Sequence, residues 1–280
     1  MSHCLMFPGQ GTQFPGMAQG LDFNGVVDPG LLALMMDGPE DELNRTINAQ
    51  PAVLAASIAL WKTSNLSSPD IVMGHSLGEY TALVVSGALS LKDAISLVGA
   101  RALFMEEAQP GHVTGMAAVI GLSLEKVEEA ISNVDDVWVA NINGGGQVVI
   151  SGKLSSIDKA VSRLKTLGAR RVIKLKVSVA SHCPLMKTAA PKLMNSLKSI
   201  DIKKPRCPVI FNATARPESD PEKIREILGL QLVEPVRWEG CVEKAISMGV
   251  DEFIEIGPKS VLAPLVKRIA KGVSVEARAL

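Results

Sequence analysis

The chain has 280 residues, 47% of them hydrophobic, and its 29 basic side chains balance its 29 acidic ones. That length allows one large domain, or one that carries a smaller one, with apolar content enough for a real core. The zero balance removes the usual electrostatic case for binding nucleic acid or a membrane surface. Cys4, Cys183, Cys207 and Cys241 lie far apart and form no CxxC pair. Reduced thiols in a cytoplasmic protein are therefore expected, rather than a zinc site or a disulfide framework.

The opening "MSHCLMFPGQG" has no basic n-region, and its apolar run stops at Pro8, so neither a signal peptide nor a transit peptide is expected. "CLMF" followed by "PGQGTQFPG" reads as a short buried strand entering a glycine-rich turn. Helices are predicted at "DPGLLALMM" and at "PAVLAASIALWKTS", the second capped by Asn48; its apolar stretch is too short to span a bilayer. "DIVMGH" is a second strand, "LGEYTALVVSGAL" a helix, and "SLKDAISLVGARALFMEEA" another, with Ser90 as cap and Asp93 in the first turn. From about residue 115 to 179 the rhythm changes to βαββαβ, ending in "RRVIKLKVSV", which alternates as a strand through Val179. That order is the ferredoxin-like split unit, and it reads as a small domain (113–179) inserted between the halves (1–112 and 180–280) of an α/β domain. The outer halves alternate strand and helix, which predicts a parallel sheet covered on both faces.

At the second strand, "GHSLG" matches G-x-S-x-G with a strand before it and a helix after it, the context that gives a nucleophile elbow its meaning. A turn this sharp strains the serine backbone and excludes a Cβ from what packs against it. The Ser76 hydroxyl is thereby held clear of the sheet at a helix N-terminus. A base is needed, and the chain offers His3, His75, His112 and His182. His75 adjoins the serine and should point elsewhere; His3 and His112 read as surface residues. His182, in "VSVASHCPLM" at the seam of the two predicted domains, is the preferred candidate. The amide of Leu77 supplies one oxyanion donor by geometry, and the "FPGQG" turn, with Gly9, Gln10 and Gly11, should supply the other. No Asp or Glu presents itself as the third member of a triad; Asp135 and Asp136 belong to the insertion.

"FPGQGTQ", "GHSLGEYTALV", "VGARALFMEEA", "VSVASHCPLM" and "QLVEPVRW" occur in this order across nearly the whole chain. Together they resemble the malonyl-CoA:acyl carrier protein transacylase family, which includes the acyltransferase domains of polyketide synthases. The resemblance implies a hydrolase-like α/β domain with a ferredoxin-like insertion. It implies Ser76 as nucleophile, His182 as base, oxyanion amides from Gln10 and Leu77, and a main-chain carbonyl of Gln231 orienting the histidine. Arg101 corresponds to the arginine that grips the malonyl carboxylate, and Asn141 and Asn143 to asparagines lining the entrance. Where relatives usually carry proline, this chain has the turn "NGGGQ", and "VASH" replaces the commoner "VPSH".

The function implied is malonyl transfer from malonyl-CoA to the phosphopantetheine thiol of an acyl carrier protein, for fatty acid or polyketide synthesis. No metal or redox cofactor and no membrane or nucleic-acid partner is expected, and the chain is expected to be a cytoplasmic monomer. "ARRVIKLK" and "KRIAK" concentrate the positive charge that an acidic carrier would meet. A malonate decarboxylase transferase subunit, a plain serine hydrolase and a non-catalytic docking module are the competing readings. Arg101 and the absence of an obvious acid speak against the hydrolase. The intact Ser76, His182 and Arg101 speak against the docking module.

Overall fold

A computed structural model describes residues 2–23, 25–111 and 113–280 of the chain. Strand β1 (His3–Phe7) leads to helices α1 (Pro29–Asp37), α2 (Glu40–Asn44) and α3 (Thr46–Thr63), then β2 (Ile71–Gly74), α4 (Gly78–Val85) and α5 (Leu91–Glu107). A second group follows: β3 (Thr114–Ile120), α6 (Leu124–Ile131), β4 (Val137–Gly144), β5 (Gln147–Lys153), α7 (Leu154–Thr166) and β6 (Arg171–Lys174). After a single tight turn at Pro184–Met186 come α8 (Ala189–Lys198), β7 (Val209–Phe211), β8 (Arg216–Glu218) and α9 (Pro221–Leu230). The chain ends with α10 (Trp238–Ser247), β9 (Glu252–Ile256), α11 (Ala263–Ile269) and β10 (Ser274–Arg278).

The result is a mixed α/β structure with two separate sheets. The larger has the order β10-β9-β1-β2-β7-β8 and is parallel from β10 to β7. Its central strands are apolar at successive positions because both faces are covered. Leu5, Phe7, Val72 and Ile254 join the cluster holding Tyr80, Leu97 and Leu193, whereas Cys4, Met6, Met73 and Phe253 join the one around Trp238 and Val266. The two-residue period of a strand sends neighbours to opposite faces, and truncating one such buried side chain to alanine costs about 2–5 kcal/mol. Strand β8 turns back antiparallel on β7; its Arg-Pro-Glu sequence has no apolar run to announce it.

The smaller sheet, β4-β5-β3-β6, is antiparallel throughout. On β3, Ala117 and Val119 pack under α6 and α7 with Val127, Ile157 and Leu164, while Met116 and Ala118 face the other way with Leu175 and Val177. Gln109 fastens the points where this unit leaves and rejoins the larger one. Its amide oxygen accepts from the Ala180 N–H (2.8 Å) and from the Thr114 hydroxyl, and its amide nitrogen donates to the Ala180 carbonyl. At the opposite corner β4 docks on the chain before α10, with Ile142 N–H on the Val236 carbonyl and Val236 N–H on the Ala140 carbonyl, both at 2.8 Å.

Two local expectations change. Asn48 is not a cap: α3 starts at Thr46, and the Asn48 amide donates instead to the Glu42 carbonyl at 2.8 Å. Pairing of β6 with β3 stops at Lys174, and Leu175, Val177 and Val179 become the wall of a cavity. Alternation there serves a cleft rather than a sheet. The "NGGGQ" turn is packed against α11, where a Cβ on Gly144 would lie 2.6 Å from Ile269 and one on Gly145 2.6 Å from Arg268. No helix among the described residues is long and apolar enough to cross a membrane. The four cysteines are free.

Candidate active site

The elbow is built by exclusion. A Cβ on Gly74 would fall 1.9 Å from the Gly78 carbonyl carbon, and one on Gly78 would fall 2.0 Å from the Phe7 oxygen. With both side chains absent, β2 passes into α4 at a corner where Ser76 takes φ 52°. That left-handed conformation costs a residue with a side chain about 1–2 kcal/mol, so the surroundings must fix it. Asn212, fully buried after β7, accepts the Ser76 N–H on Oδ1 at 2.6 Å and donates from Nδ2 to the Gly74 carbonyl at 2.8 Å. On the other side of the serine, the Gln231 amide donates to the Ser76 carbonyl at 2.9 Å.

His182 is the histidine that reaches Ser76, with Nε2 at 2.7 Å from Ser76 Oγ. Its Nδ1 lies 2.8 Å from the Gln231 carbonyl. A carbonyl only accepts, so Nδ1 carries the proton and the Nε2 lone pair faces the serine. Burial, and then the Arg101 charge, hold His182 down to about 3, which keeps the imidazole neutral at ordinary pH. His3 opens β1 and bonds Asp70, far from this chemistry; His112 lies outside the described residues. His75 lines the cavity beside Ser76 but is bonded elsewhere. Its Nε2 meets Asn143 Oδ1 (2.9 Å) and Asn141 Nδ2 (3.3 Å) on β4.

Arg101, on the buried face of α5, is 1% exposed. Nη1 donates to Gln50 Oε1 (2.6 Å), and Nη2 donates to Gln231 Oε1 (2.9 Å) and Ser76 Oγ (3.3 Å). The guanidinium also lies over the Tyr80 ring, 5.7 Å from its centroid. It makes no ion pair among the described residues, and its Nε has no hydrogen-bond partner. A buried cation held by neutral amides beside a nucleophile is free to take an incoming anion.

These groups share one cavity of about 100 Å³, lined by Gln10, Ser76, Leu77, Arg101, Asn141 and His182 among others. The Leu77 N–H, at the cap of α4, and the Gln10 N–H meet no protein acceptor among the described residues. Asn143 is not on the wall; it serves His75 and Gln147 instead. Thr46 Oγ1 closes the cleft by meeting Ser178 Oγ at 2.8 Å, and it receives the Gln10 side-chain amide at 3.2 Å. Three members had no announcement in the sequence: Gln50, Asn212 and Glu79. Glu79 reads as an ordinary acid in a first helical turn, yet it is 0% exposed, and burial pushes its carboxyl up to about 8. Among the described residues, no cluster of His, Cys, Asp and Glu is suited to a metal ion.

The acyl transferase domain model matches residues 4–279. A malonyl CoA-acyl carrier protein transacylase of Salmonella typhimurium is 40% identical over 98% of this chain and 94% of that relative. The crystal structure of an acyl carrier protein S-malonyltransferase from Vibrio cholerae superposes with a TM-score of 0.92 at 40% identity, covering 100% of this chain and 97% of that one. A malonyl-transacylase in complex with its type II PKS acyl-carrier protein superposes with a TM-score of 0.93, also at 40% identity, over 100% of this chain and 96% of that one. With a domain match over nearly its whole length and relatives at 40% identity, this chain belongs to the malonyl-CoA:acyl carrier protein transacylase family of acyltransferases.

Proposed function

We propose that the chain carries a malonyl group from malonyl-CoA to the phosphopantetheine thiol of an acyl carrier protein, through a malonyl ester of Ser76. Arg101 is the observation that carries this reading. It places a cation without a resident counter-charge 3.3 Å from the nucleophile, where a neutral ester would have no use for it. In the first half-reaction the Ser76 proton passes to His182 Nε2 as Oγ attacks the thioester carbonyl. The oxyanion rests on the Gln10 and Leu77 amides. The C–S bond then breaks, and His182 returns the proton to the departing thiol. In the second, the carrier thiol gives its proton to His182, attacks the ester, and Ser76 leaves with that proton. Gln231 keeps the imidazole in the working tautomer; Asn141 lines the acyl entrance, and Asn143 acts behind it through His75. Side chains and backbone amides account for every step, so no resident metal or redox cofactor is invoked.

In this reading, residues 1–112 and 180–280 form a hydrolase-like α/β domain and 113–179 an inserted ferredoxin-like domain. The order β4-β5-β3-β6, with its two helices on one face, supports it. The relative complexed with a carrier protein supports the choice of partner. In this reading the chain works as a cytoplasmic monomer. The test is intact-mass spectrometry after mixing with malonyl-CoA and no carrier protein. A malonyl adduct on Ser76 is expected, and Ser76→Ala should lose it while keeping the circular dichroism of the folded protein. An adduct of unchanged yield in that variant removes Ser76 from the mechanism.

A further inference from the structure

The triad has no acid against His182, yet a carboxylate stands one residue behind it. Glu79 lies in the first turn of α4 and is wholly buried. One carboxylate oxygen accepts the Asn212 backbone N–H and the other accepts the Gln231 side-chain N–H. Those two residues are the ones that hold the site. Asn212 fixes the Ser76 N–H. Gln231 fixes the Ser76 carbonyl, the His182 imidazole and the Arg101 guanidinium.

A primary amide has a donor end and an acceptor end, and nothing in its shape distinguishes them. Gln231 must turn its oxygen to Arg101 and its nitrogen to Ser76. The opposite orientation would set N–H against N–H at the arginine and oxygen against oxygen at the serine. Glu79 turns one accepting oxygen to the Gln231 N–H and the other to the Asn212 N–H, and so selects the productive orientation. We propose that Glu79 is a positioning residue that, by orienting the Gln231 amide, holds Arg101 in place to receive the acyl carboxylate. This inference rests on the malonyl-transfer reading of the same site.

Above about pH 8, where the buried Glu79 carboxyl ionises, charge alone would give the opposite effect. An anion near Arg101 weakens the pull on a second anion, so removing it should favour malonyl. The sign of the change in acyl choice therefore separates positioning from charge. The experiment measures rates of acyl-enzyme formation from malonyl-CoA and acetyl-CoA at about pH 9, where Glu79 is ionised, with thermal melts, for wild type, Glu79→Gln and Glu79→Asp. In Glu79→Gln the introduced amide can satisfy only one of the two donor neighbours through its single oxygen. Losing one hydrogen bond to a charged group is worth about tenfold or more, and the malonyl-to-acetyl ratio should fall by about that factor in Glu79→Gln. Glu79→Asp keeps the charge and withdraws the oxygens, and should move the ratio the same way; it decides the matter if Glu79→Gln does not fold. A ratio that rises in Glu79→Gln makes Glu79 a counter-ion and overturns the proposal. A ratio unchanged while both rates fall with the melting temperature makes it a packing residue and also overturns it. A wild type that takes up no malonyl group defeats the malonyl reading itself, and this inference with it.

Discussion

Replacing Arg101 by alanine tests the acyl selection most directly. In the native site the guanidinium is 1% exposed, and its fixed contacts are the Gln50 and Gln231 amide oxygens and Ser76 Oγ. A malonyl carboxylate entering that cavity leaves water, and without a cation it is an unpaired buried charge. Truncating one partner of a buried charged pair costs about 2–5 kcal/mol. At about 1.4 kcal/mol per factor of ten, malonyl transfer should fall by about thirty-fold or more. Acetyl carries no carboxylate, so its transfer should fall much less, or rise once the unpaired guanidinium is gone. The substitution also strands two buried amide oxygens, each worth about 1–3 kcal/mol when unsatisfied, so some loss of stability is expected. For that reason the assay compares rapid-quench acylation by malonyl-CoA and acetyl-CoA within one preparation, and the ratio is the result. Arg101→Lys, which keeps a point charge but not the planar fork, should lie between. Equal loss of both activities in Arg101→Ala would refute the reasoning and make the arginine a structural cross-link.

Two further outcomes follow from the geometry. His182 is neutral in the fold down to about pH 3 and titrates near 6.5 when unfolded, so the base form persists as pH falls. Acylation should therefore stay flat from pH 7 to 5; below 6.5 the unfolded chain binds a His182 proton that the fold refuses, but down to about 4.5 the fold keeps a Glu79 proton that the unfolded chain releases, so these two groups lower the melting temperature only below about 4.5; a rate loss centred near 6.5 would contradict this. Charge reversal at the exposed Arg170, Arg171, Lys267, Arg268 and Lys271 should slow transfer to an acidic carrier and spare acylation by malonyl-CoA. Lys174 should matter less, since it is paired with Asp158 at 2.6 Å; unaltered carrier transfer in all of these variants would place docking elsewhere.

What the sequence disclosed was whatever local geometry compels. Gly74 and Gly78 are legible because the corner leaves no room for a Cβ. The strands β1 and β2 are legible because burial on both faces demands unbroken apolar runs. Ser90 is legible as a cap because it accepts the Asp93 N–H, as a helix start requires. Where one local pattern serves two purposes, sequence alone does not separate them: alternation after Lys174 suits a strand and a cavity wall equally, and only the partner surface decides between them.

The positioning network was illegible for a different reason. Glu79 and Gln231 are 152 positions apart, and Glu79 and Asn212 are 133 apart, so no window of sequence contains the pair. Glu79 obeys the rule for an acid in a first helical turn, which gives a sufficient local account of it and hides the second use. Its burial is the signal, and burial depends on β7 and on the end of α9 arriving above the elbow. The same arrival supplies the carbonyl that orients His182, in the place where a hydrolase would need an acid. A chain that orients its base through a backbone oxygen has its carboxylate available one residue farther out. If Glu79 orients Gln231 as proposed, one side chain touches both the Ser76 backbone and the Arg101 guanidinium, the two groups on which attack and acyl choice would depend.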